Sequence, residues 1–139
     1  MSTDPAARIA AAGLAPRLRT AYPQLFVTDL ERSAAFYRDR LGFAIHYLYG
    51  EPPFYGLVVR DGAGLNLRHV DAAPLDPALR ERESLLSANI PVDEVETLFR
   101  EFEAAGVSFA QRLMRQPWGT LDFVVRDPDG NLLCFASVP

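Results

Sequence analysis

The chain is poor in the residues that bind metals, nucleic acids and membranes. Its 139 residues include one cysteine, Cys134, one tryptophan, Trp118, and two histidines, His46 and His69. A single cysteine excludes an intrachain disulfide and allows a reducing compartment. Basic residues number 14 against 18 acidic ones, for a net charge of −4. With no basic excess to neutralise phosphates, no nucleic-acid partner is expected. No apolar run approaches the ~20 residues of a membrane span, so no membrane partner is expected. Ile9 to Leu14 is a short apolar run in a region interrupted by Arg8, Arg17 and Arg19. It does not read as a signal peptide, and a cytoplasmic protein is expected.

What is present suits one globular domain. The hydrophobic fraction is 49% and the charged fraction 23%, ordinary values for a soluble protein. A chain of this length buries roughly two-thirds of its unfolded surface, so the core needs no metal or disulfide staple.

Residues 1–21, rich in Ala and Arg, read as an N-terminal extension with a short helix over Arg8 to Leu14. Gln24 to Thr28 reads as a strand, followed by a helix capped near Asp29, with Leu30, Ala34, Tyr37 and Leu41 on one face and Gly42 at its end. Strands are expected over Phe43 to Tyr49, Phe54 to Val59 and Leu65 to Val70. Residues 71–83, with Pro74 and Pro77, read as a surface linker. A strand over Leu85 to Ile90 and a helix from Asp93 to Gly106 follow, the helix carrying Val95, Leu98, Phe102 and Ala105 on one face. Val107 to Ala110 is a short strand, and a polar segment with Arg112 and Arg115 leads to Gln116-Pro117-Trp118-Gly119. Two strands, around Phe123 to Val125 and Leu132 to Val138, flank the turn Asp127-Pro128-Asp129-Gly130-Asn131.

The order repeats itself. Asp29 to Gly42 and Asp93 to Gly106 have equal spans, and Val58-Val59-Arg60-Asp61 recurs as Val124-Val125-Arg126-Asp127. The turn after the first copy is two residues shorter. The repeat predicts two βαβββ modules, about residues 22–70 and 84–138, within a single domain over 22–139. Neither module buries both faces of its own sheet, so two modules, from one chain or two, are expected to close around a cleft.

Asp29-Leu30-Glu31-Arg32-Ser33-Ala34-Ala35-Phe36-Tyr37, Leu41-Gly42-Phe43 and Asp127-Pro128-Asp129-Gly130-Asn131 resemble the vicinal oxygen chelate superfamily of glyoxalases, bleomycin-resistance proteins and dioxygenases. The resemblance covers about Tyr22 to Val138. It implies an α+β fold of two βαβββ modules, with curved mixed sheets forming a cleft and helices on the outer face. Enzymes of the superfamily hold a divalent metal through His, Gln or Glu. The matching positions here are Tyr22, Asn66, about Leu85, and Cys134. Hard cations need carboxylates and imidazoles, so no metal and no cofactor are expected. Gln24 and Asn89 are weak neutral candidates, and His46 and His69 fall outside the pattern.

Gln116-Pro117-Trp118-Gly119 with Phe123 and Arg126-Asp127-Pro128, and Pro53-Phe54-Tyr55-Gly56 with Val58-Val59-Arg60-Asp61, are similar to the bleomycin-resistance proteins, the noncatalytic binders of the superfamily. That resemblance implies a homodimer in which Phe54 and Trp118 stack on a planar aromatic small molecule, such as an antibiotic, at grooves between subunits. The expected ligand-binding set is Phe54, Trp118, Gly119, Asn66, Arg68, Tyr22, Tyr47 and Tyr49, with no catalytic residue. Arg68 on the cavity face, with Arg112 and Arg115 before Trp118, points to a ligand with an anionic or carbonyl group. Two other classes remain: a metal-dependent or metal-free lyase, isomerase or dioxygenase, and an interaction module whose cleft is collapsed.

Overall fold

A computed structural model describes residues 4–11 and 13–138. Residues 1–3, 12 and 139, the edges of the expected extension and domain, lie outside the described residues.

The chain runs α1 (Pro5–Ala11), β1 (Gln24–Val27), α2 (Leu30–Asp39), β2 (Ala44–Tyr49), β3 (Tyr55–Arg60), β4 (Ala63–His69), α3 (Pro77–Arg82), β5 (Ala88–Val92), α4 (Val95–Ala104), β6 (Phe109–Arg115), β7 (Leu121–Arg126) and β8 (Leu132–Ser137). Two four-stranded sheets form, with orders β1-β4-β3-β2 and β5-β8-β7-β6. Each has one parallel pair, β1 with β4 and β5 with β8, and two antiparallel pairs. The fold is α+β, and the same βαβββ order appears twice.

Local chemistry explains where the elements begin. Asp29 caps α2, its carboxylate accepting from the Arg32 N–H at 3.0 Å. Helix α4 is preceded by Glu94 rather than opened by Asp93; Glu94 sits in the left-handed region and makes no side-chain cap. Helix α4 buries Val95, Phe99 and Phe102, while Leu98 is only partly covered. The apolar face is thus rotated toward Phe99, whose ring meets Phe109 and Phe123.

Several expectations shift. Helix α1 begins at Pro5 rather than Arg8, because the Asp4 carboxylate accepts from the Ala6 N–H and proline suits the first helical position. The 71–83 segment is not simply a linker: Asp76 caps α3 in the same way, accepting from the Ala78 N–H. Strand β5 starts at Ala88 rather than Leu85 and includes Pro91, tolerated because β5 is an edge strand. Arg112 and Arg115 lie within β6 rather than in a loop before Trp118, and the strand bulges on either side of Gln111. Phe54 stands just outside β3.

One core joins the two modules. Leu25, Tyr37, Leu65 and Leu67 from the first share a cluster with Phe99, Phe102, Phe123 and Phe135 from the second. A polar joint fixes their alignment. The fully buried Tyr37 donates its hydroxyl to Asp127 at 2.9 Å, the Thr28 N–H and hydroxyl donate to Asp129, and Asn131 donates to the Phe26 carbonyl.

Candidate functional site

Each sheet turns one face to the core and leaves the other open. On the first sheet, residues paired across strands share a face. The rows are Phe26, Arg68, Tyr55 and Tyr49, then Gln24, Asn66, Leu57 and Tyr47. The rows place Asn66, Arg68, Tyr47 and Tyr49 together on the open face. Tyr49 is 66% exposed and Tyr47 41%. Phe54 stands at the end of this face with its ring edge-on to Tyr49 at 5.5 Å. Gly50 makes the arrangement possible: it has φ +104°, and a Cβ there would lie 2.4 Å from the Phe54 ring. Tyr22 stands apart, its ring packed over Gly64 and facing a groove between the modules.

On the second sheet the open face forms a cavity of about 410 Å³. Trp118 stands at its edge, 74% exposed, in a tight loop. The Gln116 N–H donates to Thr120, the Gly119 N–H donates to Gln116, and Gly119 has φ +102°. Arg115 donates to the Gly119 carbonyl at 2.9 Å, so it holds the loop. Arg112 is drawn to Glu103 and stacks over Phe99 and Phe109. Neither arginine lines the cavity.

The floor carries residues that the sequence reading passed over. Asp122 is 5% exposed and accepts from Gln111 at 2.7 Å and Gln116 at 2.9 Å. A signal existed in the strand Leu121-Asp122-Phe123-Val124-Val125: an acid among apolar residues, on the face opposite Phe123. Cys134 lies beside it. Burial, and then the negative charge of Asp122, push its thiol up to about 11. It stays protonated at neutral pH and is a poor nucleophile or ligand.

The cavity is lined by residues between Glu81 and Ala136, all from the second half of the chain. Phe54, Asn66, Arg68, Tyr47 and Tyr49 therefore do not line it. No ring contact joins Phe54 to Trp118.

The metal positions can be tested on the same register. The strand pairs align Gln24 with Asn66 and Asn89 with Cys134, so Asn89 occupies the place expected for Leu85. Three neutral amides and a protonated thiol do not fit a hard divalent cation. Among the described residues, no three His, Cys, Asp or Glu side chains gather to hold one.

The model of the Glyoxalase/Bleomycin resistance protein/Dioxygenase superfamily matches residues 19–135. Bleomycin resistance proteins of Geobacillus stearothermophilus and of Staphylococcus aureus strain MRSA252 are each 28% identical over 123 residues, covering 81% of this chain and 92% of theirs. A bleomycin-binding protein solved with bleomycin superposes with a TM-score of 0.71 at 26% identity, over 88% of this chain and 100% of that one. The bleomycin-binding protein of Streptomyces verticillus, solved with copper(II)-bleomycin, shares the fold with a TM-score of 0.70 at 23% identity, over 89% of this chain and 99% of that one.

Proposed function

The chain belongs to the Glyoxalase/Bleomycin resistance protein/Dioxygenase superfamily, and from that premise we propose that it is a noncatalytic binder of the bleomycin-resistance type. It sequesters a planar aromatic small molecule between the aromatic face of one subunit and the Trp118 cavity of another in a homodimer. The observation that carries this reading is the exposure of large rings on both open faces. Trp118 at 74%, Tyr49 at 66%, Phe54 at 44% and Tyr47 at 41% leave far more aromatic surface in water than a packed sheet does. Each chain holds half a site, and a second copy completes it.

The rings supply stacking area at little cost in side-chain entropy. Asp122 faces the same cavity, and Arg68 stands on the opposite half. A ligand with an N–H donor or cation at one end and a carbonyl or anion at the other satisfies both. The relatives named for bleomycin make an antibiotic of that kind the first ligand to test.

The test is a titration of bleomycin and other planar antibiotics, followed by Trp118 fluorescence and calorimetry. Stacking contributes roughly 1–3 kcal/mol per aromatic contact. Trp118→Ala is therefore expected to weaken a true ligand by about 5- to 150-fold. Unchanged affinity for every ligand that binds would refute the proposal.

A further inference from the structure

The two modules meet twice, and the two meetings are built differently. On one side α2 meets the turn between β7 and β8 through polar groups. The fourth and eighth residues of α2 are Ser33 and Tyr37, both fully buried. Ser33 donates to Asp129 and Tyr37 to Asp127, and Thr28 and the Phe26 carbonyl engage Asp129 and Asn131. Helix α3 lies over this turn. The site of a Cβ on Gly130 would lie 3.0 Å from Pro77, and Arg126 pairs with Glu81.

On the other side α4 meets the turn between β3 and β4. The fourth and eighth residues of α4 are Leu98 and Phe102, so apolar groups stand where α2 carries donors. The turn consists of Asp61 and Gly62 and holds no counterpart of Asp129 or Asn131. A groove of about 730 Å³ remains between the modules. Sites for drug-sized ligands span roughly 300–1,000 Å³.

The groove sorts its lining by chemistry. The floor is apolar and belongs to both modules: Leu65, Phe102 and Phe135 are buried there, and Ile90 and Leu98 are only partly covered. Tyr22, 46% exposed, forms a wall with its ring laid over Gly64. The rim carries Asp61, Asp93 and Glu94, all exposed. Among the described residues, none of these three acids forms an ion pair. Arg60 is the one basic residue described in the lining, and it donates through both terminal nitrogens to Glu101. The groove is therefore apolar at its base and negative at its mouth. Asp61 and Glu94 also hold positive φ, 49° and 58°, a conformation that L residues keep only when their surroundings impose it.

We propose that this groove is a second binding site, and that its ligand is a bulky lipophilic cation, a single positive charge carried on apolar rings. The rings cover Ile90, Leu98 and Phe102, and the charge lies toward Asp61, Asp93 and Glu94 with the Tyr22 ring beside it. The site shares only Asn89 with the Trp118 cavity. The two also differ in the shape they select. Trp118 offers an exposed ring for flat stacking, whereas the groove encloses its ligand between two modules and needs no flat face. One chain supplies the whole site, so it stands or falls apart from the homodimer and from the ligand of the Trp118 cavity.

The probe is tetraphenylphosphonium, whose four splayed rings cannot stack flat on Trp118. Tetraphenylborate, of the same shape and opposite charge, is the control. Calorimetry on the full chain should give one tetraphenylphosphonium bound per chain and at least tenfold weaker binding of tetraphenylborate. Asp93→Asn with Glu94→Gln should weaken the cation at least tenfold and leave the borate no weaker. Thr97 is exposed on α4 and lines the groove, so Thr97→Trp should fold, block the groove and abolish binding of the cation, while any ligand of the Trp118 cavity binds within twofold of before. In a Cys134→Ser background, tetraphenylphosphonium should protect Thr97→Cys from a maleimide at least tenfold. No binding of the cation below millimolar concentration overturns the site, as does binding that Thr97→Trp leaves unchanged without protection of Thr97→Cys. Equal affinity for the two ions overturns the cation as its ligand. Loss of Trp118-dependent binding with the groove still occupied sinks only the function proposed above, and the reverse result sinks only this site.

Discussion

Removing one oxygen at the joint between the modules should measure how firmly they are held. Tyr37 is fully buried, and its hydroxyl is 2.9 Å from Asp127 Oδ2. Tyr37→Phe keeps the ring and its edge-on contacts with Phe36 and Phe43. It removes one donor from a buried carboxylate that also accepts from Asn131 and Asp129. A hydrogen bond to a charged group is worth about 1.5–3 kcal/mol, and one between neutral groups about 0.5–1.5. Burial raises the Asp127 carboxyl above its ordinary range, and the hydrogen bonds from Asn131, Tyr37 and Asp129 pull it partly back. A carboxyl raised by folding favours the folded state most at acid pH, and that contribution is lost as pH rises through the folded value. Without the hydroxyl, the carboxyl rises further. The cost of Tyr37→Phe is therefore about 2 kcal/mol at pH 7, roughly 6 °C in Tm for a chain of this length, and about half that once Asp127 is protonated. Thermal melts of both proteins across pH 4 to 8, followed by circular dichroism, give the comparison. Equal melting temperatures at pH 7, or a loss that grows toward acid pH, would refute the reasoning.

Gly50→Ala should move the Phe54 ring, because the added Cβ meets it at 2.4 Å and alanine is strained at φ +104°; ligand affinity should fall while the melt changes by no more than about 2 kcal/mol, and unchanged affinity would remove Phe54 from the site. Asp122→Asn keeps the shape of the cavity floor but not its charge, so a ligand with a cationic group should bind about tenfold more weakly and its neutral analogue within twofold, as read by calorimetry. Cys134, 7% exposed and raised to about 11 by burial and Asp122, should react with iodoacetamide at pH 7.5 more than tenfold more slowly than the same thiol in denaturant; equal rates would show that the cavity floor opens.

Much of the fold was legible because it is written twice. The paired helix spans and the recurring Val-Val-Arg-Asp announced two βαβββ modules, since local capping, turn chemistry and alternation act over a few residues. Phe54 was harder to place, because the position of its ring depends on Gly50 and on the end of a sheet rather than on its own strand pattern. Asp122 and its glutamines were missed because their neighbourhood comes from β6 and β7 folding together. Arg112 and Arg115 misled, because their neighbours in sequence are Trp118 and its loop while their contacts are Glu103, two phenylalanine rings and a backbone carbonyl.

By itself the sequence determined the repeat, the family motifs and the poverty of metal donors, all of which depend on residue type and spacing along the chain. Only the tertiary structure decided that Phe54 and Trp118 stand on different sheets, that Asp122 lies on the cavity floor, and that Tyr37 is sealed against the turn between β7 and β8. Those facts depend on how strands and modules pack against one another, with Tyr37 and Asp127 meeting across 90 positions, and such meetings are set by packing of the whole core rather than by local preference.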